Sequence, residues 1–156
     1  MKSPRAFLSA FGVGALLACS AFAADLSTIE LLPAAAKPTG NAKTEMVNGQ
    51  ENIGFWNRGS DTVSWQVNLP SAGTWFVSAY IASPESDSEG TIAVTLGTAR
   101  CVGSLLQTGG WQDYTHMPLG KLVVTKSGPQ TLTIGAVDPT AWIAINLRSV
   151  LLRRVK

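Results

Sequence analysis

The chain has one histidine, two cysteines and five tryptophans, and these few residues limit the chemistry open to it. His116 stands in Tyr114-Thr-His-Met-Pro118 with no serine or cysteine motif beside it. A general base without an orienting partner makes a poor triad, so His116 reads as a strand or surface histidine with a satisfied hydrogen bond. Glu85, Asp87 and Glu89 alternate along one short segment. Three such carboxylates offer oxygen ligands to calcium, but the segment lacks the glycine-turned loop of a dedicated calcium motif and reads as solvated. Cys101 has no ligand-type neighbour and reads as a small buried hydrophobe. Catalysis calls for a nucleophile with its base, a poised carboxylate pair or a metal cluster, and the sequence spells out none of them. The expectation is a protein that is not an enzyme.

The tryptophans carry more information. Trp65 and Trp75 fall on the inward phase of alternating segments and read as core. Trp56, Trp111 and Trp142 lie in or beside Gly-, Asn- and Pro-rich stretches, where a large aromatic needs something to cover it. A pyranose ring presents an apolar C–H face that stacks on an indole, and its hydroxyls pair with amides or carboxylates. Trp111-Gln-Asp113-Tyr114 and the stretch from Trp142 to Asn146 supply both kinds of group. The same indoles would equally serve as anchors for a protein partner, or plug the end of a sandwich.

These positions have to be held by strands. Thr62–Leu69 alternates, with Val63, Trp65, Val67 and Leu69 on one face, and Thr74–Ala82 alternates through Trp75, Val77, Ala79 and Ile81. Period two marks half-buried strands. Further strands are predicted at Ile29–Leu32, Thr91–Leu96, Tyr114–Leu119, Leu122–Thr125, Gln130–Val137 and Ile143–Leu152, with a bulge at Arg148-Ser149. Short strands separated by Gly, Pro, Asp, Asn and Ser clusters predict an all-β sandwich or barrel.

The first residues, Met1-Lys-Ser-Pro-Arg5, precede an uncharged small-residue run from Ala6 to Ala18, the n-region and h-region of a secretory signal. The run is too short to span a bilayer, so no transmembrane helix is expected. Ala21-Phe-Ala23 predicts cleavage before Ala24, giving a signal peptide at 1–23, a single domain at 24–156 and a periplasmic or secreted protein. Leu16-Leu-Ala-Cys19 is a competing lipobox that would anchor the chain through a lipidated Cys19. Either way Cys101 has no partner within the domain, and the fold rests on its core. The formal charge of the whole chain is +2, and removing Lys2 and Arg5 brings it to balance, which gives no nucleic-acid footprint.

Two stretches together resemble a known family. Glu51-Asn-Ile-Gly-Phe-Trp56, followed by Asp61-Thr-Val-Ser-Trp65-Gln-Val-Asn-Leu-Pro-Ser-Ala-Gly73-Thr-Trp-Phe-Val, is similar to the W-x-V-x-x-P-x-A-G stretch of galactose-binding-like jelly-roll modules. Thr108-Gly-Gly-Trp111-Gln-Asp-Tyr114, then Lys126-Ser-Gly-Pro-Gln-Thr-Leu-Thr-Ile134, then Ile145-Asn-Leu-Arg-Ser-Val150, is similar to their ending. Carbohydrate-binding modules of the family six and thirty-five type, and the module behind the catalytic domain of bacterial α-L-fucosidases, share this pattern. The resemblance runs from about Ile29 to Leu152. It implies a galactose-binding-domain-like jelly roll whose loops at one end hold a glycan or oligosaccharide. Trp111, Tyr114 and Asn146 would contact the sugar, with Trp142 and Trp56 flanking them. Such modules ride on a glycosidase, so a glycosidase or envelope protein is an implied partner, and a module that kept the sandwich but lost sugar binding is the alternative. They often hold a structural calcium between an early-strand acid, here Glu30, and an acid where this chain has Arg148. A guanidinium there would repel the ion, so no cofactor is expected and Arg148 is expected to pair with a carboxylate instead.

Overall fold

The computed structural model describes residues 27–84 and 89–155. The leader at 1–23, Cys19, Glu85 and Asp87 lie outside the described residues. The strands in chain order are β1 (Thr28–Leu31), β2 (Lys37–Pro38), β3 (Lys43–Val47), β4 (Gln50–Trp56), β5 (Thr62–Leu69) and β6 (Gly73–Ala82). They continue with β7 (Gly90–Leu96), β8 (Ala99–Leu105), β9 (Thr115–Val124), β10 (Gly128–Ala136) and β11 (Ile145–Arg154). Single 3-10 turns stand at Pro33–Ala35 and Pro139–Ala141. Among the described residues no helix is long and apolar enough to cross a membrane.

One sheet runs β3-β4-β11-β6-β9, with β1 pairing the far half of β11, and the second runs β2-β5-β10-β7-β8. Every pairing is antiparallel. The inward side chains of both sheets meet in one core that includes Trp65, Trp75, Ile81, Leu119, Leu132 and Leu147, making the expected β-sandwich jelly roll. Trp65 and Trp75 are buried as their phase predicts. Trp65 donates Nε1–H to the Leu32 carbonyl at 2.9 Å, whereas Trp75 Nε1 is buried with no acceptor. The described chain closes on itself where Arg154 N–H donates to the Ser27 carbonyl at 3.0 Å.

Thr62–Leu69 is β5, residue for residue. The predicted strands at Tyr114–Leu119 and Leu122–Thr125 are one strand, β9. Met117 and Leu119 point inward on odd positions, Leu122 and Val124 on even ones, and the register against β6 shifts between Val77 and Ser78. A β-bulge changes the phase without ending the strand, and Gly120 at φ +129° serves it while leaving room for the Cys101 side chain. The bulge expected at Arg148-Ser149 is there, as a register shift between Leu147 and Ser149 against β6.

Alternation does not predict β2, β3, β4 or β8. Strand β3 is a sheet edge with no fully buried position, so its sequence shows no apolar face. Strand β8 packs so close that a side chain at Gly103 would meet the Leu119 backbone, and its inward face is built from the small residues Ala99, Cys101 and Gly103 until Leu105.

Candidate functional site

Strand β4 carries a second phase change, and this one shapes a surface. Ile53 faces Leu147 and Trp56 faces Ile145 across the pairing with β11, so three steps on β4 match two on β11. The extra residue is taken up near Phe55, which holds φ +55°. A bulky residue in the left-handed region is strained by about 1–3 kcal/mol and persists where its surroundings impose it. The result is that Trp56 turns inward, 1% exposed, and Phe55 turns out, 52% exposed. The Lys43 ammonium sits 3.8 Å from the Phe55 ring centroid.

Trp111, 46% exposed, stands on the connection from β8 to β9 and lines the same groove as Phe55. That loop is pinned at several points. Thr108 exchanges hydrogen bonds with Ser83, Ser83 N–H donating to Oγ1 at 2.8 Å and Oγ1–H donating to the Ser83 carbonyl at 2.9 Å. Asn146 donates Nδ2–H to the Trp111 carbonyl at 3.1 Å, and Asn48 donates to Gln112 Oε1 at 3.0 Å. An aromatic held this way is presented without further ordering. The open groove, of about 400 Å³, is lined by Glu45, Phe55, Trp111, Gln112 and Asn146, with Trp56, Asn57, Val47 and Ala144 completing the wall. The lining thus combines two exposed aromatic residues with amide groups and the Glu45 carboxylate.

The groove thus gathers Trp111 and Asn146, with Trp56 in its wall, and leaves Trp142 and Tyr114 outside. Trp56 belongs to β4 and the core, not to an open loop; its Nε1–H donates to the Asp61 carbonyl at 3.2 Å. Trp142 is half-buried against it. Asn146 is 7% exposed, and its amide supports the Trp111 loop from below. Tyr114 sits on the outer face of the sheet, with its ring under the Arg148 guanidinium at 3.7 Å. Burial pushes its phenol above the ordinary value, and the Arg148 cation pulls the other way. Arg148 therefore finds an aromatic partner, and its Nε is buried without a hydrogen-bond acceptor. Glu30 and Arg148 share a hollow of about 430 Å³ with Glu51 and Tyr80 on that face.

His116 is exposed and stacks on Tyr80, ring centroids 4.5 Å apart. Cys101 is half-buried, and burial raises its thiol above the ordinary value. Among the described residues no three His, Cys, Asp or Glu side chains converge. Sequence reasoning missed Phe55 and Glu45. The signal for Phe55 is the break of period between Ile53 and Trp56; Glu45, on an edge strand without alternation, has none.

No family model matches the chain. It is 32% identical over 108 residues to β-agarase AgaA of Microbulbifer thermotolerans, covering 69% of this chain and 25% of the agarase. The chain therefore spans a quarter of the length of the curated relative it matches. Among solved structures, a family 35 carbohydrate-binding module from Clostridium thermocellum superposes with a TM-score of 0.67 at 16% identity, covering 83% of this chain and 99% of that one. A carbohydrate-binding module of lichenase 5A from Cellvibrio mixtus, in complex with cellotriose, gives 0.65 at 20% identity, covering 82% and 98%. The described residues have the jelly-roll fold of the family six and thirty-five carbohydrate-binding modules.

Proposed function

We propose that this chain binds carbohydrate in the groove between Phe55 and Trp111 and does not react with it. The observation that carries the reading is Trp111, nearly half exposed on a pinned loop and lining, with the exposed Phe55, a groove that also carries amides and the Glu45 carboxylate. A sugar ring lies against the indole, and its hydroxyls reach Glu45, Gln112 and Asn146. Glycoside hydrolysis uses two flanking carboxyl groups, and among the described residues Glu45 is the one acid in the lining, which supports binding without catalysis. The agarase relative and the cellotriose-bound module make β-linked glycans the first class to try. The reading includes export through the leader at 1–23, action beside a glycosidase, and no bound metal.

Affinity electrophoresis through gels containing agarose or a mixed-linkage β-glucan tests the proposal. The protein is retarded by at least one of them, and Trp111→Ala abolishes the retardation while far-UV circular dichroism is unchanged. Stacked rings contribute about 1–3 kcal/mol each, so affinity is modest. Retardation that survives Trp111→Ala overturns the site. Retardation by no glycan, together with capture of an envelope protein through the same groove, would establish the protein-interaction alternative.

A further inference from the structure

Glu45 does not hang free at the rim of the groove. It lies directly across from Asn52 in the pairing of β3 with β4, and Asn52 donates Nδ2–H to Glu45 Oε1 at 3.0 Å. Asn52 is fully buried, so both ends of its amide need partners. Its Oδ1 accepts from the Tyr114 hydroxyl at 2.9 Å. The two contacts agree on one orientation, because turning the amide over would set its oxygen against the carboxylate. Tyr114 is held in turn by Arg148 over its ring and by Tyr80, ring centroids 5.5 Å apart. A phenol is protonated at neutral pH, so the Tyr114 hydroxyl is the donor, and burial pushes its pKa further up. Gly54, two residues along β4, leaves the space the carboxylate needs, since any side chain there would run into it.

Resting on the reading of the groove as a sugar site, we propose that the chain Tyr114–Asn52–Glu45 fixes a carboxylate in the groove and makes it select neutral glycans over sulfated or carboxylated ones. One carboxylate oxygen is engaged by Asn52, which leaves the other to accept from sugar hydroxyls. A carboxylate held in place cannot swing away from an anionic substituent, and like charges brought together this way discriminate strongly. Asn52 and Tyr114 act through Glu45; they are positioning residues and touch no sugar themselves. The Lys43 ammonium is engaged on the Phe55 ring.

Titration calorimetry with neutral agaro-oligosaccharides and with sulfated κ-carrageenan oligosaccharides of the same length tests this at low salt. The wild-type chain binds the neutral ligand at least about tenfold more tightly, the factor that corresponds to 1.4 kcal/mol. Glu45→Gln keeps an oxygen for Asn52 but removes the charge; it weakens neutral binding a few-fold and collapses the preference toward one. Tyr114→Phe keeps the ring beneath Arg148 and deletes the hydroxyl alone; it lowers the melting temperature, because Asn52 Oδ1 is left buried without its donor, and it shrinks the preference about threefold, a change in ratio that a purely structural role would not produce. If neutral binding is present but Glu45→Gln leaves the ratio unchanged, the charge selection is wrong. If Tyr114→Phe matches wild type, the positioning chain is wrong. Binding of neither ligand, with the agarose and β-glucan gels also negative, overturns the sugar site itself and this inference with it.

Discussion

Trp142 donates its indole N–H to the Trp56 carbonyl at 3.0 Å, and the two rings pack 5.2 Å apart. The pair closes one end of the sandwich beneath the groove, so these two indoles are occupied with each other and Trp111 is left to face solvent.

Trp142→Ala therefore lowers stability by about 2–4 kcal/mol, by opening a cavity beside Trp56 and orphaning its carbonyl. Trp111→Ala, which removes a largely solvent-facing ring, stays within about 1 kcal/mol of wild type. Urea denaturation of the two variants reads the difference; equal losses would mean that the exposed ring is structural after all.

Phe55→Gly separates binding from folding. Glycine takes φ +55° without strain, a gain set against the lost Lys43 contact and the entropy of glycine in a strand, each about 0.5–1 kcal/mol. Stability stays within about 1 kcal/mol of wild type, while glycan retardation falls sharply because one wall of the groove is gone. A variant that unfolds would show that Phe55 holds the bulge rather than serving the surface.

The core offers a paired test. Trp65→Phe removes the indole's hydrogen bond to the Leu32 carbonyl, which keeps the Ala35 N–H, whereas Trp75→Phe removes a buried donor that has no acceptor. Each loses ring volume, but Trp65→Phe is the more costly by about 1–2 kcal/mol. Thermal melts of the two side by side check this, and the reverse order would sink it.

The strands that show period two were legible because one face is buried and the other wet, as in Thr62–Leu69. Trp65 and Trp75 could be placed inward from that phase alone. What the sequence hid lies where the phase changes. At Gly120 the change imitates a strand end, and at Phe55 it exchanges the roles of two adjacent aromatics, so that Trp56 draws attention and Phe55 makes the surface. Trp111 was legible from its loop, since Gly109 and Gly110 leave a large ring little to pack against. Glu45 was not, because an edge strand with both faces partly wet shows no pattern, and its importance comes from Asn52 across the ladder, a pairing that sequence does not display.

Strand β11 begins beside the groove at Asn146 and ends at Arg154, where the chain meets Ser27. Ten residues of strand at about 3.3 Å each put that junction roughly 30 Å from the rim of the groove. Anything joined directly at Ser27 or after Val155, whether a chip surface, a fluorescent reporter or a fused enzyme, hangs from the opposite pole and leaves the mouth of the groove pointing away from its support.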